Sequence, residues 1–298
     1  MQSNTYKKKS YAKINFYLDV IDKMENDYHN IESVMQSISL FDEVSLTVSE
    51  AAGENEITIT SNSSQIPLNE KNLVYKAAVK FLAYLENIGK KITKKKLSFH
   101  IEKNIPVEAG MAGGSTNCAS ALYLLNEAFN YPLKDNELLS LGASLGADVA
   151  FCQTGGTALC RGIGEKITKL KSAPTLNLVS AIGNSGVSTP VAFGLLDEKF
   201  GTNPGPSARV DDFISALESG NLEMISASLF NKFEAVIEPI NESVAEIKNT
   251  LLKCGALGAL MSGSGPSVFG IFASEIDAKN AYNELKKKDF RVFLCKTV

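Results

Sequence analysis

The chain has few residues that bind metals through nitrogen or sulfur. It contains two histidines, His29 and His100, and five cysteines that form no C-x-x-C pair. A zinc site needs about four such ligands, commonly at short spacing, so the sequence argues against one. An odd number of cysteines cannot close into a complete set of internal disulfides, which favours a reducing compartment and predicts a cytoplasmic protein.

Long apolar segments are missing as well. No stretch approaches the roughly 18 uninterrupted apolar residues that a membrane-spanning helix requires. The residues that follow the N-terminal lysines, 11–20, are interrupted by Lys13, Asn15 and Asp19, so they lack the apolar core of a signal peptide. We therefore expect no membrane partner.

The chain also lacks an excess of basic charge. Its formal net charge is -3 at pH 7, whereas nucleic-acid binders usually carry a concentrated positive surplus. Lysine runs occur at residues 7–9, 94–96 and 286–288, but no aromatic residues alternate with them for base stacking. We interpret these runs as solvated faces and expect no nucleic-acid partner.

The length and the hydrophobic periodicity predict an α+β protein. A chain of 298 residues exceeds one typical compact unit, so we predict two domains, residues 1–165 and 166–298. Clusters of β-branched and aromatic residues predict strands at 12–20, 43–48, 56–60, 96–102, 267–272 and 290–295. Apolar residues at helical spacing predict helices at 72–87, 115–130, 212–218 and 242–252. The alternation of the two suggests two lobes.

The run IPVEAGMAGGSTN, residues 105–117, is rich in small residues and lies between a predicted strand and a predicted helix. Glycines permit positive φ and close approach of the backbone, and the N–H groups at a helix start favour an anion such as phosphate. Ser115 and Thr116 could donate hydroxyls to phosphate, and Ser115 could ligate Mg²⁺. The alternative is an ordinary helix start with hydroxyl residues in its first turn.

The chain contains neither a Walker A sequence nor a G-x-G-x-x-G fingerprint, which argues against a nicotinamide-dependent oxidoreductase. The run at 105–117 instead resembles the P-x-x-x-G-[LM]-x-[GS]-S/G-S motif of GHMP kinases. SYAKINFYL at 10–18 resembles the first motif of that family, and GALMSGSGPSVF at 258–269 resembles the third. The resemblance implies a two-lobed α+β fold, with a ribosomal S5 domain 2-like N-terminal lobe and a ferredoxin-like C-terminal lobe, and the use of ATP and Mg²⁺.

Four further segments resemble one branch of the GHMP kinases, which phosphorylates the 2-hydroxyl of 4-diphosphocytidyl-2-C-methyl-D-erythritol. They are listed in chain order as AKIN at 12–15, NDYHNIES at 26–33, LGADVAF at 145–151, and the glycines at 155–156 followed by GIGE at 162–165. The chain departs from the usual pattern at three positions: Ala112 and Asp27 replace glycines, and Ala150 replaces a proline. None of these changes removes a reacting group.

The resemblance implies two catalytic residues. Asp148 would take the proton from the substrate hydroxyl, and Lys13 would lie beside it and stabilise the negative charge on the attacking oxygen. Without the resemblance, the favoured interpretation of Lys13 is a surface lysine of an edge strand, and that of Asp148 is a helix cap or turn residue.

The resemblance also implies substrate contacts. Tyr28 would offer a flat face to cytosine, His29 would read its polar edge, Phe193 would supply a second aromatic ring, and Asn15 would lie near the methylerythritol or its phosphates. A tyrosine buried in the core is the alternative for Tyr28.

On the nucleotide side, the resemblance places Asn72 and Lys103 near adenine. The triphosphate would lie on the small-residue run, at Pro106, Gly110, Met111, Ala112, Gly113, Gly114, Ser115 and Thr116. Two other functions stay open at this point: a GHMP kinase of the mevalonate or homoserine type, and a non-catalytic nucleotide-binding protein of the same fold. The sequence is compatible with a monomer or a homodimer.

Overall fold

A computed structural model describes residues 4–90, 92–184 and 186–298. The strands are, in order, β1 (Asn4–Lys23), β2 (His29–Glu50), β3 (Glu56–Ser61), β4 (Lys95–Glu102), β5 (Thr157–Gly162), β6 (Lys166–Lys169), β7 (Asn177–Ile182), β8 (Phe230–Asn231), β9 (Gly258–Met261), β10 (Ser267–Phe272) and β11 (Arg291–Lys296).

The α-helices occur singly or in groups between these strands. They are, in order, α1 (Leu73–Asn87), α2 (Gly113–Ala128), α3 (Asp135–Ala143), α4 (Ala147–Thr154), α5 (Thr189–Phe200), α6 (Val210–Ser219), α7 (Leu222–Ala227), α8 (Glu234–Ile237), α9 (Glu242–Lys253) and α10 (Glu275–Lys287). A short 3₁₀ turn at Glu238–Ile240 follows α8. Within the described residues, no helix combines the length and apolar character that a membrane span needs.

The chain forms two compact units, and each unit is assembled from three separate stretches. Unit 1 comprises Met1–Ala12, Leu40–Val107 and Ala112–Gln153, and unit 2 comprises Lys13–Ser39, Glu108–Met111 and Thr154–Val298. Because β1 and β2 each contribute residues to both units, a single cut in the sequence does not separate the units. The predicted division at residue 165 stays a prediction.

Unit 1 is a sheet covered by helices. The second half of β2 runs antiparallel to β4, from the pair Glu43 and Glu102 to the pair Glu50 and Lys95, and β3 lies parallel to β4 on its other side. Helices α1 and α2 contact each other, and their apolar faces share one buried core with the sheet. Phe81 of α1 is fully buried there.

Local signals explain where two helices of unit 1 begin. The side chain of Asn72 accepts a hydrogen bond from Val74 N at 2.9 Å, which caps α1. Helix α3 begins with a carboxylate cap, because Glu137 accepts from Lys134 N and from the Tyr84 hydroxyl, both at 2.7 Å. These two hydrogen bonds lower the pKa of Glu137 below its ordinary value.

Unit 2 contains a second, fully antiparallel sheet in the order β11-β7-β10-β9. Helices α9 and α10 pack against this sheet and close its core. In the same unit, residues 31–36 of β2 run antiparallel to β5, which pairs in turn with β6. Strand β1 pairs in parallel with β8 at Tyr17 and Leu18.

The structure confirms which predicted elements are strands and which are helices. Strands cover the predicted stretches at 12–20, 43–48, 56–60, 96–102 and 267–272, and helices cover 212–218 and 242–252. The helix predicted at 72–87 begins one residue later, at Leu73, because Asn72 is its N-cap residue. The helix predicted at 115–130 begins and ends two residues earlier, at Gly113 and Ala128. The early start follows from Ala112, which adopts a left-handed conformation and acts as the N-cap residue.

Candidate active site

A buried polar network in unit 2 contains the two polar residues of the first sequence motif. Lys13 and Asn15 lie on β1 and are 4% and 1% exposed, and the Lys13 ammonium donates to Asn15 Oδ1 at 2.8 Å. The Asn15 amide donates to Ser33 Oγ at 2.8 Å, and Asn15 N donates to Ser262 Oγ at 3.1 Å. Lys13 is therefore held in place and is not a surface lysine.

The small-residue run meets the same network. Lys13 N donates to Met111 O at 3.2 Å, which joins β1 to the end of the segment Glu108–Met111 in unit 2. Gly110 has φ 71°, and a Cβ atom there would lie 2.8 Å from Ser262 O. Both the dihedral angle and the space exclude a larger residue, so this loop and the third motif fit together only with glycine. Residues of all three sequence blocks thus converge in unit 2.

The start of α2 belongs to unit 1. Ala112 has φ 56° and ψ 30°, and its carbonyl accepts from Thr116 N at 2.9 Å. The earlier N–H groups of a helix have no partner within the helix and carry the positive end of its dipole. Gly114 is exposed beside them, whereas Thr116 is buried. This helix start is suited to an anion.

Lys103 lies close to this helix start. A Cβ atom on Gly113 would come within 2.8 Å of Lys103 Nζ. The ammonium forms a buried ion pair with Asp42 at 2.7 Å and also donates to Ile105 O at 2.6 Å. Asp42 accepts in addition from the backbone N of Ile105 at 2.7 Å. The pair therefore fixes the chain immediately before the buried Pro106.

Two other candidate residues of unit 1 have distinct surroundings. Asn72 uses both ends of its amide on backbone groups, accepting from Val74 N and donating to Pro67 O at 2.6 Å. It shapes the chain before α1. Asp148 lies in the first turn of α4. A residue that only caps the helix or forms its turn, the alternative to a catalytic Asp148, would occupy the same position. The predicted proximity of Lys13 and Asp148 stays a prediction.

The segment predicted to grip cytosine forms a turn and the start of β2. Tyr28 is 59% exposed, so it is not a core tyrosine. Asp27 adopts φ 64°, a left-handed conformation. The glycine that is usual at this position in the family would adopt it without strain. His29 is buried and stacks on Phe193, with ring centroids 4.3 Å apart and planes 14° apart.

A carboxylate completes the surroundings of His29. Its Nε2 lies 2.8 Å from Asp197 Oδ1, and Lys23 Nζ lies 3.2 Å from Asp197 Oδ2. Burial disfavours ionisation of Asp197, but the hydrogen bonds from His29 and Lys23 outweigh it and lower the pKa of this carboxyl below its ordinary value.

Four residues of these networks were not predicted from the sequence: Asp42, Asp197, Ser33 and Ser262. Ser33 and Ser262 lie inside segments that resemble family motifs, so their position in a motif was an available signal. Asp42 is 61 residues from its partner Lys103, and Asp197 is 168 residues from its partner His29. No local sequence pattern marks either aspartate.

Comparison with known protein families identifies the class. The model of the GHMP kinases N terminal domain matches residues 72–156, and the model of the GHMP kinases C terminal region matches residues 213–291. The chain belongs to the GHMP kinase family, and its α+β fold is the one that the sequence resemblance predicted.

Individual relatives narrow this assignment. The 4-diphosphocytidyl-2-C-methyl-D-erythritol kinase of Caldicellulosiruptor saccharolyticus is 43% identical over 279 residues, which cover 93% of this chain and 92% of that protein. A crystal structure of 4-(cytidine 5'-diphospho)-2C-methyl-D-erythritol kinase aligns with a TM-score of 0.79 at 27% identity, covering 98% of this chain and 99% of the other. These relatives place the chain among the 4-diphosphocytidyl-2-C-methyl-D-erythritol kinases, and it is a small-molecule kinase.

A more distant structure shares the fold. Homoserine kinase from Cytophaga hutchinsonii aligns with a TM-score of 0.74 at 21% identity, covering 99% of this chain and 94% of the other. At this identity the likeness concerns the architecture alone.

Proposed function

We propose that this chain transfers the γ-phosphoryl group of ATP to the 2-hydroxyl of 4-diphosphocytidyl-2-C-methyl-D-erythritol, a step of isoprenoid precursor biosynthesis that does not use mevalonate. The observation that carries the proposal is the convergence in unit 2 of Lys13, Asn15, the Met111 backbone and Ser262. Phosphoryl transfer depends on positioning and charge stabilisation, which a buried ammonium beside a glycine-containing loop can supply.

Asp148 and Lys13 are the proposed catalytic residues. Asp148 accepts the proton of the attacking hydroxyl, because its carboxylate is the group of the family motif that can act as a base. Lys13 stabilises the negative charge that develops on the attacking oxygen. The hydrogen bond from Lys13 to Asn15 supports this role, since it orients an ammonium that is almost fully buried.

The nucleotide is assigned to the small-residue run. The backbone of Gly110, Met111, Ala112, Gly113 and Gly114 approaches the phosphates, together with the hydroxyls of Ser115 and Thr116. The positive helix start and the nearby ammonium of Lys103 support this assignment. The proximity of Asn72 and Lys103 to adenine rests on the family resemblance.

Magnesium fits the residues of α2. Mg²⁺ is usually held by one or two protein oxygens together with substrate phosphates and water, so a cage of several carboxylates is unnecessary. Ser115 supplies a hydroxyl near the helix start. This hydroxyl would hold the ion, which neutralises phosphate charge when it is bound.

The cytidine end of the substrate is assigned to Tyr28, His29 and Phe193. The exposed ring of Tyr28 is available for stacking, and His29 presents a polar ring that is fixed by its neighbours. One face of Phe193 is taken up by His29, so Phe193 would contact the base with its remaining surface. Asn15 is assigned to the methylerythritol or its phosphates.

The experiment that tests the proposal is an ATP-dependent assay with three acceptors: 4-diphosphocytidyl-2-C-methyl-D-erythritol, mevalonate and homoserine. We expect phosphorylation of the first, with ³¹P NMR locating the new phosphate on the 2-hydroxyl. Turnover of mevalonate or homoserine instead would identify the chain as another type of GHMP kinase. No turnover of any acceptor would favour a non-catalytic nucleotide-binding protein.

The role of Asp148 is tested by Asp148→Asn. Loss of a general base lowers turnover by roughly 10²- to 10⁴-fold, and the KM for ATP should change little. Asp135→Asn is the matched control, because Asp135 lies in the first turn of α3 and is exposed. Near-normal turnover of Asp148→Asn would remove Asp148 from the mechanism.

Two further expectations from the sequence belong to this proposal. The cytoplasmic location is testable by cell fractionation. The choice between a monomer and a homodimer is testable by sedimentation of the purified chain.

A further inference from the structure

Helix α5 presents two side chains to the same imidazole. Phe193 and Asp197 are four residues apart, so they lie on one face of the helix, one turn from each other. Phe193 stacks on the ring of His29, and Asp197 is hydrogen-bonded to the edge of that ring at Nε2. Phe233 packs edge-on against Phe193 with a centroid distance of 5.0 Å. The plane and the rotation of the imidazole are therefore both fixed.

The contact with Asp197 also determines where the imidazole proton lies. An ionised carboxylate only accepts hydrogen bonds, so Nε2 of His29 must carry the hydrogen that joins the two residues. In the neutral ring, Nδ1 is then an acceptor. Lys23 contacts the second oxygen of Asp197 at 3.2 Å, which favours the ionised carboxylate that this arrangement needs.

The position of this proton matters for a pyrimidine. Cytosine carries an amino group at C4, which donates hydrogen bonds, whereas uracil carries a carbonyl oxygen there, which accepts them. An acceptor on His29 therefore matches cytosine and opposes uracil. The opposite tautomer would reverse the preference.

We propose that Asp197 is a positioning residue that fixes the protonated nitrogen of His29 and thereby makes the chain select a cytosine over a uracil ring. The role rests on the proposed function, because it requires the base to lie against His29. Asp197 itself acts only through the imidazole. It adds a specificity-determining residue, far from His29 in sequence, to those that the family motifs mark.

Substrate discrimination tests this role. The ratio of kcat/KM for 4-diphosphocytidyl-2-C-methyl-D-erythritol to kcat/KM for its uridine analogue is measured for the wild type and for Asp197→Asn. The asparagine amide can donate to Nε2, which permits the other tautomer, so we expect the cytosine preference to fall by roughly tenfold, the scale of one hydrogen bond. The exposed neighbour Glu198 supplies the control, since Glu198→Gln should leave the ratio unchanged.

Nitrogen NMR of the histidine rings supplies a second measurement that is independent of turnover. The chain has only His29 and His100, so a His100→Gln variant assigns both rings. We expect His29 of the wild type to be protonated at Nε2, and Asp197→Asn to raise the population protonated at Nδ1. Wild-type His29 protonated only at Nδ1 would overturn the proposal.

The outcomes separate this proposal from the proposed function. A wild type that phosphorylates neither pyrimidine substrate would overturn the function, and the specificity role with it. An active wild type whose cytosine preference survives in Asp197→Asn would overturn the role of Asp197 alone.

Discussion

Replacing Ala112 by glycine should stabilise the chain. Ala112 has φ 56° and ψ 30° at the N-cap of α2, a left-handed conformation that strains a residue with a Cβ atom by about 1 to 2 kcal/mol. Glycine removes this strain but increases the entropy of the unfolded chain, which offsets about 0.4 to 1 kcal/mol. The net gain is on the order of 0.5 to 1 kcal/mol, which corresponds to a rise of roughly 1 to 2 °C in Tm for a chain of this size.

Thermal unfolding followed by circular dichroism measures this shift. Ala83→Gly is the matched control, because Ala83 is an exposed residue inside α1, where glycine costs about 1 kcal/mol. Asp27→Gly is a second control, because Asp27 has φ 64° but aspartate tolerates this region better, so its Tm should change less. If Ala112→Gly lowered Tm as much as Ala83→Gly, the strain at Ala112 would be refuted.

Three further changes test other parts of the structure. Tyr28→Ala should raise the KM for the cytidine substrate by roughly tenfold or more, since stacking on a base contributes about 1 to 3 kcal/mol, and should leave the KM for ATP within about twofold. Glu137→Gln should destabilise the chain at neutral pH. This difference should disappear in acid unfolding measurements, because the contribution of Glu137 is present above its unfolded pKa of about 4.3 and is lost as the pH falls through its lowered folded pKa. Asp42→Ala should lower the free energy of unfolding by about 3 to 5 kcal/mol, because it leaves the buried Lys103 ammonium without its carboxylate.

Each of these three predictions has its own contrary result. Equal losses for the cytidine substrate and ATP would contradict stacking on Tyr28. A destabilisation by Glu137→Gln that stays constant down to pH 2 would show that the charge of Glu137 is unimportant. The control for Asp42 is Glu43→Ala, which breaks an exposed ion pair with Lys7 and should change stability by less than about 1 kcal/mol. Similar effects of the two variants would contradict the buried ion pair as the cause.

The sequence predicted much of the fold because the signals concerned are local. Strand and helix periodicity extends over a few residues, and capping by Asn72 or a stop at Gly89 requires only neighbours along the chain. Not every local signal was used: α10 was not predicted, although Ser274 caps it and its apolar residues Ala278, Ala281 and Leu285 recur at helical spacing.

The candidate site was predictable only where a motif marked it. Lys13, Asn15 and the loop up to Met111 were named from family motifs, and they do meet in unit 2. The ion pair of Lys103 and the carboxylate beside His29 depend on partners that are distant in sequence. Nothing near those partners distinguishes them from other acidic residues, because their importance arises only from tertiary packing.

The interleaving of the two units has a consequence for synthesis on the ribosome. All stretches of unit 1 have been translated once residue 153 is made, whereas unit 2 needs the segment Lys13–Ser39 together with everything from Thr154 onward. The early segment that carries Lys13 and His29 therefore lacks some of its partner strands until the last strands of unit 2 have been translated. We expect the segment that carries Lys13 and His29 to complete its pairing last during translation.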